Sequence, residues 1–124
     1  MKNKDLLKVK EGQKTGTVDN ISELKGKVAL VGFEVLDESE QEIVKKIVES
    51  YIKKLSAVGD YQEMKISLRQ HKHGKTFKHE VNAFAIFRQG KFESDVTEWN
   101  LYIALSMVCD KILAELEHKM QKVL

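Results

Sequence analysis

The chain has 124 residues, 42% of them hydrophobic and 32% charged, with a net charge of +2. That is the profile of one globular domain with a core of its own, and it excludes an intrinsically disordered composition. No apolar run approaches the roughly 20 residues of a membrane span. The start, MKNKDLLKVKEG, has neither the apolar core nor the cleavage site of an export signal, and the lone Cys109 cannot form an internal disulfide. A cytoplasmic location follows.

Residues 1–27 lack sustained periodicity and carry Gly12, Gly16 and Gly26 among polar residues. They read as a flexible basic leader with a short ordered piece near Val18 to Leu24, ahead of a single domain at 28–124. KVALVGF (27–33) has the pattern of a short strand. LDESEQEIVKKIVESYIKKLS then predicts an amphipathic helix, with Asp37 or Ser39 as cap and Ser39 and Glu42 at capping-box spacing. Its apolar stripe is Ile43, Ile47, Tyr51 and Leu55, flanked by Val44, Val48 and Ile52. Lys45, Lys46, Lys53 and Lys54 occupy the other face, and Gly59 ends the helix.

YQEMKISLRQ (61–70) alternates Met64, Ile66 and Leu68 against Lys65, Ser67 and Arg69, as a half-buried strand does. HKHGK supplies a turn at His73-Gly74, and FKHEVNAFAIF (77–87) a second strand. If Val81, Ala83, Ala85 and Phe87 face inward, then Lys78, Glu80, Asn82, Phe84, Ile86 and Arg88 face outward. RQGK (88–91) is another turn and FESDV (92–96) a short strand, which completes an antiparallel meander. A second helix follows, capped by Thr97 or Asp95, with Leu101, Leu105, Val108, Ile112 and Leu116 on its buried stripe and Cys109 and Met120 beside it. Lys111, Glu115, His118 and Lys122 line its other face. The class is α+β, in the order β-α-β-β-β-α: a four-stranded sheet with two helices packed on one face and the other face open.

Charge is unevenly placed along this order. Residues 65–91 hold seven Lys and Arg against one acid, whereas 28–64 hold four against eight and 92–124 three against six. The leader adds seven bases and four acids. A basic middle suits a polyanionic partner. It centres on LRQHKHGKTFKHEV (68–81), where Arg69, Lys72, Lys75 and Lys78 accompany His71, His73 and His79. Three histidines among lysines are too few ligands, in too cationic a setting, for a metal site. The chain has no phosphate-binding glycine loop, HExxH or GxSxG motif, and Cys109 falls on a core stripe. These features predict no enzyme, no metal, no cofactor and no small-molecule substrate.

RNA binding uses what is present, because lysine and arginine neutralise phosphates without strict spacing. On the open face Lys65, Arg69, Lys78 and Arg88 surround Phe84, which could stack on a base. Phe84 and Ile86 could equally meet a partner protein.

The element order, YIKKLSAV at the end of the first helix and SDVTEWNLYIALSMVCDKILAELEHK together resemble the ribosome hibernation-promoting factor/RaiA family in its short form. Tyr102-Ile103-Ala104-Leu105 and Val108-Cys109-Asp110-Lys111-Ile112-Leu113 stand at its Tyr-x-Ala-hydrophobic and hydrophobic-Asp-Lys-hydrophobic segments. The similarity runs from about Val28 to Lys122. It implies the β-α-β-β-β-α fold, binding to ribosomal RNA of the small ribosomal subunit in the channel for messenger and transfer RNA, and repression of translation in resting or stressed cells. Carried over by position, Lys53, Lys54 and Lys111 match best, with Lys119 and Lys122 in the tail. Departures are a Gly32–Lys54 spacing longer by about one helical turn, Glu115 and Glu117 in a tail that is usually basic, and no C-terminal dimerisation domain. The expected RNA-contacting set is Lys45, Lys46, Lys53, Lys54, Lys65, Arg69, Lys72, Lys75, Lys78, Arg88 and Lys111. The alternatives are a double-stranded-RNA-binding-type domain, which the acidic DVTEWN start of the last helix opposes, and a protein-interaction module using Phe84 and Ile86.

Overall fold

The structure is a computed structural model that describes residues 27–123, with side chains as far as Gln121. Residues 1–26 of the expected leader, its ordered piece at Val18 to Leu24 included, and the side chain of Lys122 lie outside the described residues.

Strand β1 (Lys27–Val31) buries Val28 and Leu30 on alternate positions. The chain leaves the sheet one residue later, earlier than the apolar run to Phe33 suggests. Gly32 turns it with φ +85°, and a Cβ there would lie 2.3 Å from the carbonyl oxygen of Leu68. Both facts require glycine. A 3-10 turn, Phe33–Val35, then inserts Phe33 into the core.

Helix α1 (Glu38–Val58) starts on a reciprocal cap formed two residues earlier than the Ser39–Glu42 spacing predicts. Asp37 Oδ1 accepts the Glu40 N–H at 2.8 Å, and Glu40 Oε1 accepts the Asp37 N–H at 3.0 Å. The Ser39 hydroxyl donates to the same Asp37 oxygen at 2.9 Å, so a carboxylate wins the cap and the serine supports it. Val44, Val48, Tyr51, Ile52 and Leu55 are buried. The buried stripe is thus rotated from the expected one, and Ile43 is 44% exposed.

Strands β2 (Tyr61–His73), β3 (Thr76–Phe87) and β4 (Gly90–Glu98) form the meander. All three are longer than their apolar patterns, because a hairpin's ladder hydrogen bonds continue past the last buried side chain. The sheet order is β1-β2-β3-β4, with β1 parallel to β2 and the other pairs antiparallel. Met64, Ile66, Leu68, Val81, Ala83, Ala85, Phe87, Phe92 and Val96 are buried on one face, as the alternation predicts. Helix α2 (Leu101–Val123) buries Leu101, Ala104, Leu105, Val108, Cys109, Ile112 and Leu116 beneath it.

Its cap is Asn100, whose side-chain oxygen accepts the Ile103 N–H at 3.0 Å. Thr97 and Asp95, the expected caps, belong to β4, which continues to Glu98. The helices run parallel, both leaving the sheet at the end where β1 finishes. Tyr51 donates to Asp110 at 2.7 Å across them. Near their starts, burial and then Glu40 and Asp37 push the Tyr102 phenol upward. Cys109 is fully buried, with its thiol raised to about 12 by desolvation, and so has the character of a small core hydrophobe. The α+β class and the β-α-β-β-β-α order are as the sequence predicts.

Candidate nucleic-acid interface

The β2–β3 hairpin carries the basic cluster. Leu68 and Val81 form the last buried cross-strand pair, and residues 71–77 are all exposed. The hairpin closes through Gly74 and Lys75, with Gly74 at φ +62°, and the Thr76 hydroxyl donates to the His73 carbonyl at 3.0 Å. Ladder register then sorts the side chains by face. Arg69, His71 and His73 share the open face with Lys78 and Glu80, whereas Gln70, Lys72, Phe77 and His79 point to the opposite one.

The three histidines therefore do not converge. His71 Nε2 lies 2.8 Å from Glu80 Oε1, and this bond holds the Glu80 carboxyl below the usual carboxylate range. His79 Nδ1–H donates to the Trp99 carbonyl at 2.9 Å. The His73 ring meets the Trp99 ring edge-on, with centroids 5.3 Å apart. Among the described residues no group of three or more His, Cys, Asp and Glu side chains could hold a metal ion. No described helix is long and apolar enough to cross a membrane.

Trp99 is the residue that pattern reading passed over. The β3–β4 ladder ends at His79–Glu98, so the next residue continues beside Lys78 on the open face. Lys78 Nζ sits 5.1 Å from the indole centroid, and the ring remains 52% exposed. The usable signal was the β4 alternation: Phe92 and Val96 face inward, so Thr97 and then Trp99 lie outward. Acidic neighbours hid it by making DVTEWN look like a helix start.

The expected RNA-contacting residues fall into separate groups. Arg69, Lys72, Lys75 and Lys78 all belong to the hairpin, with Arg69 and Lys78 on its open face, Lys72 on the other and Lys75 in the turn; Glu80 is the one acid between residues 64 and 92. That acid is shared by His71 and, at 4.0 Å, Arg69. Lys65 is mid-sheet on the rim of a shallow hollow of about 620 Å³ with Ser67, Asn82, Phe84, Glu93 and Asp95. Phe84 and Ile86 do face that side but are half-buried. Arg88 is at the far end of β3, bound to Asp60 at 2.7 Å. Ten extended residues, roughly 33 Å, separate it from Lys78. On α1, Lys46 and Lys53 are exposed, Lys45 pairs with Glu42 at 3.7 Å, and Lys54 lies 4.8 Å from the Tyr51 ring centroid. Lys111 on α2 reaches the Asp95 carbonyl at 3.5 Å.

Element order, the parallel edge strand and a sheet covered on one face define the class: a small α+β domain with an open sheet surface. Among solved structures the chain is similar to the N-terminal domain of Protein Y from Thermus thermophilus. The TM-score is 0.52 and the identity 16%, over 77% of this chain and 97% of that one. The likeness is one of fold. No protein-family model matches the chain, and no curated protein sequence does.

Proposed function

We propose that this protein is a non-enzymatic, ribosome-associated inhibitor of translation that binds ribosomal RNA of the small subunit in resting cells. The observation that carries the reading is the cationic β2–β3 hairpin. Four Lys and Arg side chains are held within ten residues, and Lys72 and Lys75 have no ion-pair partner among the described residues. The sequence resemblance to the hibernation-promoting family and the shared fold with Protein Y support it. The helix lysines would supply a second, weaker contact, because α2 is acidic where that family is basic.

Sedimentation of a lysate from resting cells tests the proposal. Co-migration with the small subunit at low salt, weakening as salt rises, is the expected result, since phosphate contacts release counterions. Charge reversal of Lys72, Lys75 and Lys78 should move the protein toward the top of the gradient. If the native protein stays at the top at both salt concentrations, the ribosome assignment fails.

A further inference from the structure

We infer that Trp99 is a stacking platform for an unpaired RNA base, with Lys78 and the β2–β3 hairpin holding the adjoining phosphates; this rests on the RNA-binding reading above. An indole is the largest apolar side chain, yet here it is left 52% exposed on a folded surface. Its backbone is fixed on both sides. The His79 side chain holds its carbonyl, and the next residue, Asn100, caps α2. The ring is therefore presented rather than loose, which lowers the ordering cost of stacking.

The surroundings favour nucleic acid over an apolar partner. Lys78 Nζ lies 5.1 Å from the indole centroid and His73 packs on the ring at 5.3 Å, so cationic and polar groups border it. Arg69 and His71 follow on the same face. A stacked base places its own phosphates within the reach of such side chains, and stacking tolerates any base because each has a π-face. A purely apolar contact would leave Lys78 desolvated without a counter-charge, since Glu80 is already engaged by His71. Duplex RNA offers no free base face, so the fit is to a single strand or loop.

The chain has one tryptophan, so emission excited at the red edge of the indole band, where tyrosine does not absorb, reports this ring alone. The probe is an unstructured RNA of about ten nucleotides, titrated into the full chain beside inorganic polyphosphate and a duplex RNA of equal length. Quenching by the single strand and none by polyphosphate is expected. Trp99→Ala should weaken single-strand binding, followed by a label on the RNA, roughly 5- to 150-fold. Trp99→Phe should recover part of that loss, while the salt dependence stays as in the native chain. If labelled RNA binds with normal salt dependence, yet emission is unchanged and Trp99→Ala binds equally well, the stacking site is refuted and the RNA reading stands. Quenching by RNA-free ribosomal protein and not by RNA assigns Trp99 to a protein contact and also overturns it. No binding of any RNA sinks both.

Discussion

Replacing Gly32 by alanine tests how the chain leaves the sheet. At φ +85° an L-residue costs about 1–2 kcal/mol relative to glycine. The added Cβ would also meet the Leu68 carbonyl oxygen at 2.3 Å. That atom belongs to the backbone of β2, which pairs with both β1 and β3 and cannot give way as a side chain would. Overpacking of this kind costs typically 1–3 kcal/mol. Against these stands about 0.4–1 kcal/mol from the stiffer unfolded chain, which leaves a net loss of roughly 1–5 kcal/mol. Gly74→Ala is the internal control, because Gly74 has φ +62° but no heavy atom within 4 Å of its added Cβ. It should cost about 1 kcal/mol or less, from the backbone alone. Urea denaturation followed by far-ultraviolet circular dichroism, with equal slopes for all three proteins, gives both differences. Equal midpoints for the two variants would refute the close approach of Gly32 to β2.

Asp37→Ala removes the acceptor for the Glu40 N–H and should lower the urea midpoint in the same assay. Since the Glu40 amide and Ser39 hydroxyl lower the Asp37 pKa, the native stabilisation is present above the unfolded carboxylate value and fades as pH falls through the folded one; the variant should lose less on acidification. Tyr51 behaves in the opposite sense. Burial and then the bond to Asp110 raise its phenol from 10.0 to about 12, so its stabilisation holds below pH 10 and is lost between 10 and 12. Tyr51→Phe should flatten that alkaline limb in a pH series of denaturation midpoints.

What the sequence discloses here is mostly what periodicity encodes. Val81, Ala83, Ala85 and Phe87 are buried as their alternation predicts, and Leu105, Val108, Ile112 and Leu116 are buried at helical spacing. Contests between similar local options were not legible. Asp37 and Ser39 both suit a cap, and the choice depended on which geometry lets Glu40 return the bond. The Ile43 stripe and the Val44 stripe are one position apart, and packing against the rest of the core decides between them. The basic hairpin was visible because charge needs no geometry to be counted. Trp99 was not, because its importance comes from a register three strands wide: β3 had to place Lys78, and β2 had to place His73, before the indole acquired neighbours.

The parallel run of α1 and α2 also makes the molecule electrically polar. Aligned peptide dipoles put about half a positive charge at each helix start, and both starts lie at the end from which the basic hairpin emerges. Helix α2 has no acid in its own first turn, whereas α1 has Glu38 and Glu40 behind Asp37. Asp37 and Glu40 also act on Tyr102 at the start of α2. One acidic turn therefore serves two dipoles. Neutralising it would uncover a positive field that neither pH near neutrality nor lysine modification could remove, because it belongs to the backbone.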